Sequence, residues 1–431
     1  MSLPPALSLY RMASWALGPA LSAWVGARAR AGKEDPARLG ERYGRASAAR
    51  PDGPLVWLHG ASVGELGVVL QLREALAERN AALSFLVTTG TRTSAGLFAR
   101  RAPNAVHQYA PMDRADCVRR FLAHWRPDLG VFVESELWPN LALEAEAAGA
   151  RLALVNARMS AKTIERWKGM RQSAKRILDA FDPILAADAQ TAEGLSALSN
   201  RLVPAIGNLK LAAAAPHVDE SALAALTQEI GRRPVWLAAS THLGEEEILL
   251  NVHARIRAQA PDALLILAVR HPERGASVAG LADGAPRRAK GEPIGRAPVY
   301  VVDTIGELGL FYRLAPVALV AGSLQEGLSG HNPIEPAKLG AAILAGPYVE
   351  SFADLYDALH GAGGAWRVES PDEIEAAVLK LWADAAAREK LIGAARALAE
   401  SGAPALRQTI DALMARAPDL APARAAAYAG A

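Results

Sequence analysis

Short apolar runs alternate with longer helical stretches along most of this 431-residue chain. Typical runs are Leu129–Val133 and Val317–Val320, which are apolar throughout instead of alternating polar and apolar residues. Strands of this kind are buried on both faces, and strands that alternate with helices form parallel sheets. The alternation extends over residues 54–206 and begins again at residue 234. The sequence therefore predicts two α/β units, each built on a parallel sheet.

The two halves also show a faint internal similarity. Pro54-Leu-Val-Trp-Leu, followed by Ser62 and Glu65, resembles Pro234-Val-Trp-Leu, followed by Ser240 and Glu245. Two domains are the natural expectation for a chain of this length. The similarity suits two units of one fold type.

Charge and cysteine content limit the classes of partner. The formal net charge of +2 is too small to indicate a nucleic-acid partner. The single cysteine, Cys117, excludes an internal disulfide and fits a reducing compartment. The sequence has no Cys/His cluster with zinc spacing and no Asp-x-Asp pair beside its candidate phosphate motifs, so we expect no essential metal.

Residues 1–27 are unusually apolar and include Trp15 and Trp24, with Arg28, Arg30 and Lys33 directly after them. Positive charge that follows an apolar run argues against an export signal and favours a cytoplasmic position for that side. Gly18-Pro19 argues against one straight spanning helix. We expect a segment that lies on a membrane surface with its tryptophans at headgroup depth. A helix packed on the protein's own core is the open alternative.

Polar residues gather at the carboxyl ends of the expected strands, where open α/β sheets bind ligands. Glu134 and Glu136 follow one strand, Glu65 begins the helix after another, and Lys210 follows Gly207-Asn208. From spacing alone, Ser62-x-x-Glu65 is a capping box. Glu134 could equally form a salt bridge with the segment 156–158, and Lys210 could be solvated.

Residues 321–340 form a glycine-rich loop that leads from a strand into a helix. Asn332-Pro333-Ile334-Glu335 is typical of a helix start, with a capping asparagine and a proline in the first turn. Free backbone N–H groups at such a loop suit a phosphate, and Glu335 suits a ribose diol. An ordinary turn between strand and helix remains the alternative.

Taken together, these segments resemble the 3-deoxy-D-manno-octulosonic acid (Kdo) transferases of lipopolysaccharide synthesis. The resemblance covers about residues 39–355 in consistent order. The matching segments are Trp57-Leu-His-Gly-Ala-Ser-Val-Gly-Glu65, Thr88-Thr89 through Thr93, Glu134-Ser-Glu-Leu-Trp-Pro-Asn-Leu141, Asn156-Ala-Arg158, Gly207-Asn-Leu-Lys210, Ala239-Ser-Thr-His242, Arg270-His-Pro-Glu-Arg274, Asp303-Thr-Ile-Gly-Glu-Leu308 and Ser329-Gly-His-Asn-Pro-Ile-Glu335.

The resemblance implies an α/β protein with the GT-B architecture, in which two Rossmann-like domains face a central cleft. It implies an inverting glycosyltransferase that moves Kdo from CMP-Kdo to a lipid A precursor of the lipid IV-A type, at the cytoplasmic side of the cell inner membrane. No cofactor is expected besides the donor substrate, and no nucleic acid is a partner. We expect residues 1–27 to associate with the membrane, residues 28–211 to bind the acceptor, and residues 212–431, with their Ala-rich tail, to bind the CMP-sugar.

The resemblance also assigns roles. Glu65 matches the general base, which a helix N-terminus would keep ionised, and Glu134 and Lys210 match stabilisers of the transition state. The residues expected to bind the nucleotide are Val269, Arg270, His271, Ile305, Gly306, Glu307, Asn332, Pro333, Ile334 and Glu335. Three departures leave the shape of the nucleotide pocket open: Val269 where the family usually has proline, Leu328-Ser329-Gly330 where it is richer in glycine, and Glu350-Ser351-Phe352 where an asparagine usually precedes the phenylalanine.

Two other functions suit the same pattern. A UDP-sugar 2-epimerase has the same two-domain architecture, but it gives no reason for the apolar N-terminus. A nucleotide-sensing membrane scaffold without activity would not need Glu65 at its strand end. Binding of CMP against UDP separates the first alternative from the transferase, and turnover separates the second.

Overall fold

The computed structural model describes residues 3–102, 105–417 and 420. The described chain divides into two compact units. The first runs up to Lys210 and also includes the residues from Ala403 onward, and the second is Leu211–Gly402.

In the described part of the chain, twelve strands build the two sheets. The first unit contains β1 (Leu55–His59), β2 (Ser84–Thr89), β3 (Val106–Tyr109), β4 (Leu129–Val133), β5 (Arg151–Ala157) and β6 (Phe181–Ala186). The second contains β7 (Val235–Thr241), β8 (Leu264–Val269), β9 (Val299–Val302), β10 (Val317–Val320), β11 (Ala342–Ala345) and β12 (Ala365–Arg367).

Helices cover both sheets. The first unit has α1 (Pro5–Ala16), α2 (Gly18–Arg30), α3 (Leu39–Arg42), α4 (Val63–Arg79), α5 (Arg92–Arg101), α6 (Ala115–Trp125), α7 (Pro139–Ala147), α8 (Ala161–Lys168), α9 (Arg171–Leu178) and α10 (Ala189–Ser199). The second unit has α11 (Glu220–Ile230), α12 (Glu245–Gln259), α13 (Gly275–Leu281), α14 (Leu308–Leu314), α15 (Ile334–Leu339), α16 (Ala353–Ala362), α17 (Pro371–Ala383) and α18 (Ala385–Glu400). The last helix is α19 (Gly402–Arg416).

Both sheets are parallel and have the same topology. The first has the order β3-β2-β1-β4-β5-β6, and the second has β12-β11-β10-β7-β8-β9. If the strands of the second unit are numbered from one, its order is 6-5-4-1-2-3. This is the order of the first sheet, 3-2-1-4-5-6, given from the opposite edge. The strand order changes direction between β1 and β4 and between β7 and β10, and ligands bind beside such switch points. The prediction of two Rossmann-like units is confirmed.

Continuous apolar runs explain why these strands lie in the middle of their layers. Every residue of β1 is buried, and Trp57 packs its ring 5.0 Å from Phe121 and 4.9 Å from Phe132. Trp236 in β7 is likewise fully buried. Burial of side chains of this size supplies about 1.5–3 kcal/mol each. Parallel pairing then brings all carboxyl ends of a sheet to one edge.

The last helix, α19, belongs to the first unit. Ala405, Ile410 and Leu413 are buried in the core that contains Val56 and Leu58. We expected residues 212–431 to lie in the second domain. That boundary is wrong for α19, because its apolar face completes the core of the first unit.

The helices α1 and α2 pack on the first unit and also expose apolar side chains. Leu7 and Val25 are buried, and the Tyr10 hydroxyl donates to Asp113 at 2.7 Å. Leu9, Met12, Trp15, Leu17 and Trp24 are exposed. The pair Gly18-Pro19 divides the segment into two helices, as its sequence indicates. None of the described helices combines the length and the hydropathy needed to cross a bilayer.

Candidate active site

Glu65 lies in the first turn of α4, at the carboxyl edge of the first sheet. Its Oε1 accepts a hydrogen bond from the Ser62 hydroxyl at 2.8 Å, and its Oε2 accepts one from the Ala61 amide at 2.5 Å. The Glu65 amide donates to Ser62 Oγ at 3.3 Å, which is one half of the predicted capping box, while the carboxylate accepts the amide of Ala61, the residue before the cap. A Cβ on Gly60 would lie 3.0 Å from the Glu65 Cβ, which explains the need for glycine there.

Burial raises the pKa of Glu65, and the negative charges of Glu136 and Glu134 raise it further. The hydrogen bonds from Ser62 and Ala61 oppose this shift without cancelling it. This direction is the reverse of the one expected for a carboxylate at a helix N-terminus, because desolvation and like charges outweigh the helix dipole. A carboxylate with a raised pKa is a stronger base.

Glu134 and Lys210 form an ion pair at the same edge. Lys210 Nζ lies 2.8 Å from Glu134 Oε1, and the Asn156 side-chain amide lies 3.4 Å from the same oxygen. Within the segment 156–158 named as the alternative partner of Glu134, Asn156 makes this contact, and Arg158 Nε lies 3.8 Å from Asp188 Oδ2. Lys210 Nζ is also 3.7 Å from the position that a Cβ of Gly64 would occupy. The three residues with predicted catalytic roles therefore lie around one switch point.

Backbone strain accompanies this pair. Glu134, which directly follows β4, has a φ value of 63°, and Asn156, the last residue but one of β5, has a φ value of 50°. Such left-handed conformations are uncommon for residues other than glycine and concentrate at functional sites. The side-chain Oδ1 of Asn156 accepts a hydrogen bond from the Leu209 amide at 2.8 Å and so holds the loop that carries Lys210. Sequence analysis placed this asparagine in a matching segment but assigned it no role of its own.

A third carboxylate, Glu136, is held by His59 and Trp138. Its Oε2 lies 3.3 Å from His59 Nε2 and 2.6 Å from Trp138 Nε1. His59 Nδ1 lies 2.8 Å from Thr88 Oγ1, which also accepts the Trp57 indole N–H at 2.8 Å. Thr88 can therefore donate to Nδ1, and Nε2 then carries the proton that faces Glu136.

Burial acts to raise the pKa of Glu136 as well, but the hydrogen bonds from His59 and from the Trp138 indole lower it. Two acids at one edge thus have pKa values that are shifted in opposite directions. Such divergence is typical of acid–base sites. His59 was missed by sequence reasoning, and its position at the end of β1 is the signal that could have found it.

The switch point of the second unit carries a histidine pair. His242 follows β7, and its Nε2 lies 3.0 Å from His331 Nε2, with the two rings stacked. The ring of His271 lies 5.7 Å from that of His242. Burial lowers the pKa of His331 to about 4, helped by His242 and Arg270. Burial also lowers the pKa of His242, so both imidazoles are neutral near pH 7.

Glu245 binds the first part of the glycine-rich loop. Its fully buried carboxylate accepts the amides of Gly322 at 2.8 Å, Ser323 at 3.1 Å and Leu324 at 3.0 Å, as well as that of His242 at 3.0 Å. The expectation that the whole loop offers free N–H groups is therefore wrong for residues 322–324. A neighbouring side chain already uses them.

A helix starts at the end of this loop as predicted, but one residue later, because Pro333 occupies the cap position expected for Asn332. The helix α15 begins at Ile334, and the Ile334 amide donates to Asn332 Oδ1 at 3.0 Å. Glycine is required at position 322, because φ is +69° and a Cβ there would lie 2.8 Å from the His331 ring. Two departures from the family pattern contact each other beside this loop, since the Ser351 amide donates to the Ser329 carbonyl at 3.0 Å.

The remaining predicted nucleotide residues lie after β8 and β9. Val269 ends β8, and the Arg270 amide donates to the Thr241 carbonyl at 3.0 Å. Ile305 is exposed and Gly306 has φ of +89°. The Glu307 carboxylate pairs with Arg288, whose Nη2 lies 2.5 Å away, and this contact lowers the pKa of Glu307.

Within residues 3–102, 105–417 and 420, no group of three or more His, Cys, Asp or Glu side chains is arranged to hold a metal ion. That the reaction uses no metal and no cofactor stays a prediction from the sequence.

Comparison with known proteins identifies the family. The family profile described as 3-Deoxy-D-manno-octulosonic-acid transferase (kdotransferase) matches residues 37–213. A probable mitochondrial 3-deoxy-D-manno-octulosonic acid transferase of Arabidopsis thaliana is 34% identical, over 82% of this chain and 82% of its own. The 3-deoxy-D-manno-octulosonic acid transferase of Bordetella pertussis is 34% identical, over 94% of this chain and 98% of its own.

Solved structures show the fold. The MurG structure of Acinetobacter baumannii is 11% identical with a TM-score of 0.52, and covers 84% of this chain and all of its own (100%). A putative UDP-N-acetylglucosamine 2-epimerase of Listeria monocytogenes is 13% identical with the same TM-score of 0.52, over 85% of this chain and 97% of its own. Transferase and epimerase alike share the GT-B type of fold, so fold does not separate the two activities. The sequence relationships separate them: the chain belongs to the family of 3-deoxy-D-manno-octulosonic acid transferases, which are glycosyltransferases.

Proposed function

We propose that this enzyme transfers Kdo from CMP-Kdo to a lipid A precursor of the lipid IV-A type, with inversion at the anomeric carbon. The observation that carries the proposal is the grouping of Glu65 with the Glu134–Lys210 ion pair at the first switch point. Glu65 is a buried carboxylate of raised pKa, which is the property that a general base needs.

The proposed step is a single displacement. A hydroxyl of the acceptor gives its proton to Glu65, while its oxygen bonds to the anomeric carbon of Kdo. The bond from that carbon to the phosphate oxygen breaks, and CMP leaves with the electron pair. Each Glu65 oxygen accepts one hydrogen bond, so a second lone pair remains for the proton. Attack opposite the leaving group inverts the configuration.

Glu134 and Lys210 act on the charges that develop during this step. The sugar becomes positively charged as its bond to CMP lengthens, and a fixed carboxylate at Glu134 stabilises that charge. Lys210 stabilises the negative charge on the leaving group or on the donor carboxylate. Their 2.8 Å contact keeps both groups in place before the substrates arrive, so little reorganisation is needed.

The second unit is the proposed donor-binding domain. The switch-point rule favours a ligand beside His242 and the loop that carries His331. Arg270 supplies a positive charge for the phosphate, and Asn332 with Glu335 supplies polar groups for phosphate and ribose. The segments 269–271, 305–307 and 332–335 would then surround CMP, with residues 305–307 toward the cytosine.

The exposed apolar face of α1 and α2 supports a position on the cytoplasmic face of the inner membrane. Trp15 is 74% exposed and Met12 is 65% exposed on one side of α1. Clusters of this kind mark membrane or partner surfaces. Arg30 and Lys33 are exposed and can each add about 1 kcal/mol at an anionic surface. Arg28 is not free for this role, because it bonds to Glu34 at 2.8 Å.

Mass spectrometry of the reaction products tests the activity directly. The purified enzyme is incubated with CMP-Kdo and a lipid A precursor, and we expect a product heavier by Kdo together with free CMP. Calorimetry should show binding of CMP and weaker binding of UDP. Absence of the product, or tighter binding of UDP with epimerised sugar formed from a UDP-sugar, would favour the epimerase alternative.

Surface substitution tests the membrane position better than deletion. Deleting residues 1–27 would release the protein if they only bound lipid, but it would also remove Leu7 and Val25 from the core. Leu9→Ser, Met12→Ser and Trp15→Ser together should abolish sedimentation with anionic vesicles and keep activity on a detergent-dispersed acceptor. The matched control is Leu202→Ser with Leu281→Ser, two exposed leucines outside this face. Equal vesicle binding by both variants would contradict the proposal.

A further inference from the structure

A cavity of about 650 Å³ lies between the N-terminal helices and the carboxyl edge of the first sheet. Its outer wall is apolar and includes Ala13, Leu17, Leu21 and Val25, with Leu141 facing them from α7. This volume is within the range of sites that enclose a small ligand. The mechanism proposed above does not use this cavity.

The ionic side chains that line the cavity already have partners. Glu34 accepts from Arg28 at 2.8 Å and from Arg42 at 3.0 Å. Asp113 accepts from the Tyr10 hydroxyl at 2.7 Å and from the Leu141 amide at 2.7 Å. Glu136 is held by His59 and Trp138 as described above. Because these carboxylates already accept hydrogen bonds within the wall, a ligand that fits the cavity is itself neutral and apolar.

The two ends of the cavity differ. At the outer end, Leu17 and Trp24 line the cavity although they are 56% and 57% exposed, so they form a mouth on the apolar face of α1 and α2. At the inner end the lining includes Glu136 and Ala61, whose amide bonds to Glu65. The cavity therefore extends from the proposed membrane face to Ala61, the residue whose amide bonds to the proposed general base.

We propose that this cavity binds one acyl chain of the acceptor lipid. A chain that enters between Leu17 and Trp24 would leave the polar part of the same lipid near Glu65. The inference rests on the proposed function, because it concerns the acceptor of that reaction. It makes the enzyme selective for acylated acceptors through a contact separate from the sugar and from the membrane surface.

A series of acceptors with increasing chain length tests the inference. The acceptors are used as monomers, below their critical micelle concentrations, and a deacylated acceptor gives the reference rate. Each methylene moved from water into the cavity should raise kcat/KM by up to about fourfold until the cavity is full. Product from all acceptors with no dependence on chain length would overturn the inference alone. No product from any acceptor would overturn the proposed function instead.

Filling the cavity should remove this dependence. Ala13 lines the cavity, whereas Ala16 on the same helix is exposed and does not line it. We expect Ala13→Trp to lower the kcat/KM ratio between the longest and the deacylated acceptor toward one. Ala16→Trp adds the same side chain outside the cavity and should keep the wild-type ratio. A wild-type ratio in a folded Ala13→Trp variant would overturn the inference.

Photocrosslinking of the unmodified enzyme covers the case in which Ala13→Trp does not fold. An acceptor with a diazirine in one acyl chain is irradiated with the wild-type protein, and the modified peptides are identified by mass spectrometry. We expect labels on α1, α2 and the peptides that contain Met112 and Leu141. Labelling only outside these peptides, or labelling by a phospholipid probe that the acceptor does not compete away, would overturn the inference.

Discussion

The two units share one topology, yet a glutamate near the start of the helix after the first strand has a different environment in each. Glu65 in α4 receives one backbone amide and one hydroxyl. Glu245 in α12 receives four backbone amides, three of them from the loop after β10. Glu65 is 9% exposed and Glu245 is 0% exposed.

The number and kind of donors separates a structural carboxylate from a reactive one. Four N–H groups satisfy the hydrogen-bonding capacity of the Glu245 carboxylate, so this side chain holds two loops together. Glu65 has lone pairs to spare and lies near two other carboxylates, which raises its pKa. The same topological position therefore holds a glutamate that binds two loops together in the second unit and a candidate general base in the first.

The surrounding charges follow the same division. The edge of the first sheet carries the carboxylates Glu65, Glu134 and Glu136 with the ammonium of Lys210, which suits a sugar that becomes positively charged. The edge of the second carries the neutral imidazoles of His242 and His331 beside Arg270, which suits a phosphate. The comparison predicts that substitutions in the first unit affect turnover and that those in the second affect binding or stability.

Glu65→Gln should give the largest loss of turnover. Removing a general base lowers rates by roughly 10²–10⁴-fold. Because the pKa of Glu65 is raised in the folded state, its ionised form opposes folding at any pH above the unfolded-state pKa. The neutral amide removes that penalty, so the variant should unfold at no lower urea concentration than wild type at pH 7. Affinity for CMP, measured by calorimetry, should not change.

Glu245→Gln is the matched substitution in the second unit. The amide group of glutamine would face backbone N–H donors, and the loss of a buried, hydrogen-bonded charge costs about 2–4 kcal/mol. Urea unfolding should show this loss, and CMP affinity should fall as the loop after β10 is released. Wild-type stability together with a loss of turnover would contradict the division between a structural and a reactive glutamate.

Lys210→Met should lower kcat by about 10²-fold, the usual effect of removing one group that stabilises a developing charge. Glu134→Gln should have a similar effect, and the double variant should lose little more than either single one, because the pair acts as a unit. The control is Lys175→Met, which removes an exposed ion pair with Asp179 on α9. Strictly multiplicative losses for the Lys210 and Glu134 variants would show that the 2.8 Å contact has no role in turnover.

Much of this arrangement could be predicted from the sequence, because it depends on local patterns. Apolar runs such as Leu129–Val133 mark buried parallel strands without further information. The carboxyl ends of parallel strands meet at one edge, so Glu65 and Glu134 were expected near each other. The helix cap at Ser62 and the helix start after Asn332 likewise depend on residues close in sequence.

The rest depends on contacts between distant segments. Nothing near Gly322 in sequence indicates that its amide is taken by Glu245, because the two loops meet only once β7 and β10 are paired. The amphipathic pattern of α19 indicates a helix but not which core it completes. The raised pKa of Glu65 needs the positions of Glu136 and Glu134, which follow a different strand.

Glu136→Gln should give the smallest effect and tests the electrostatic part of the comparison. The base must be ionised, so kcat/KM falls as the pH drops through the pKa of Glu65. The negative charge of Glu136 raises that pKa, and removing it should move the acid limb of the profile to lower pH. A shift of at most about one pH unit corresponds to up to tenfold higher activity, relative to its own plateau, on the acid side.

The matched substitution in the second unit is His331→Gln. The pKa of His331 is about 4, so this histidine is neutral throughout the range from pH 6 to pH 8. Its titration therefore does not change kcat/KM in that range. Its replacement should change affinity for the donor without moving the acid limb. The pH dependence of kcat/KM is measured for both variants with the donor below its KM. The position of the acid limb, and not only the size of the activity loss, then distinguishes the two units. If Glu136→Gln leaves the limb in place while His331→Gln moves it, the titrating group lies in the second unit and the assignment of the base to Glu65 is wrong.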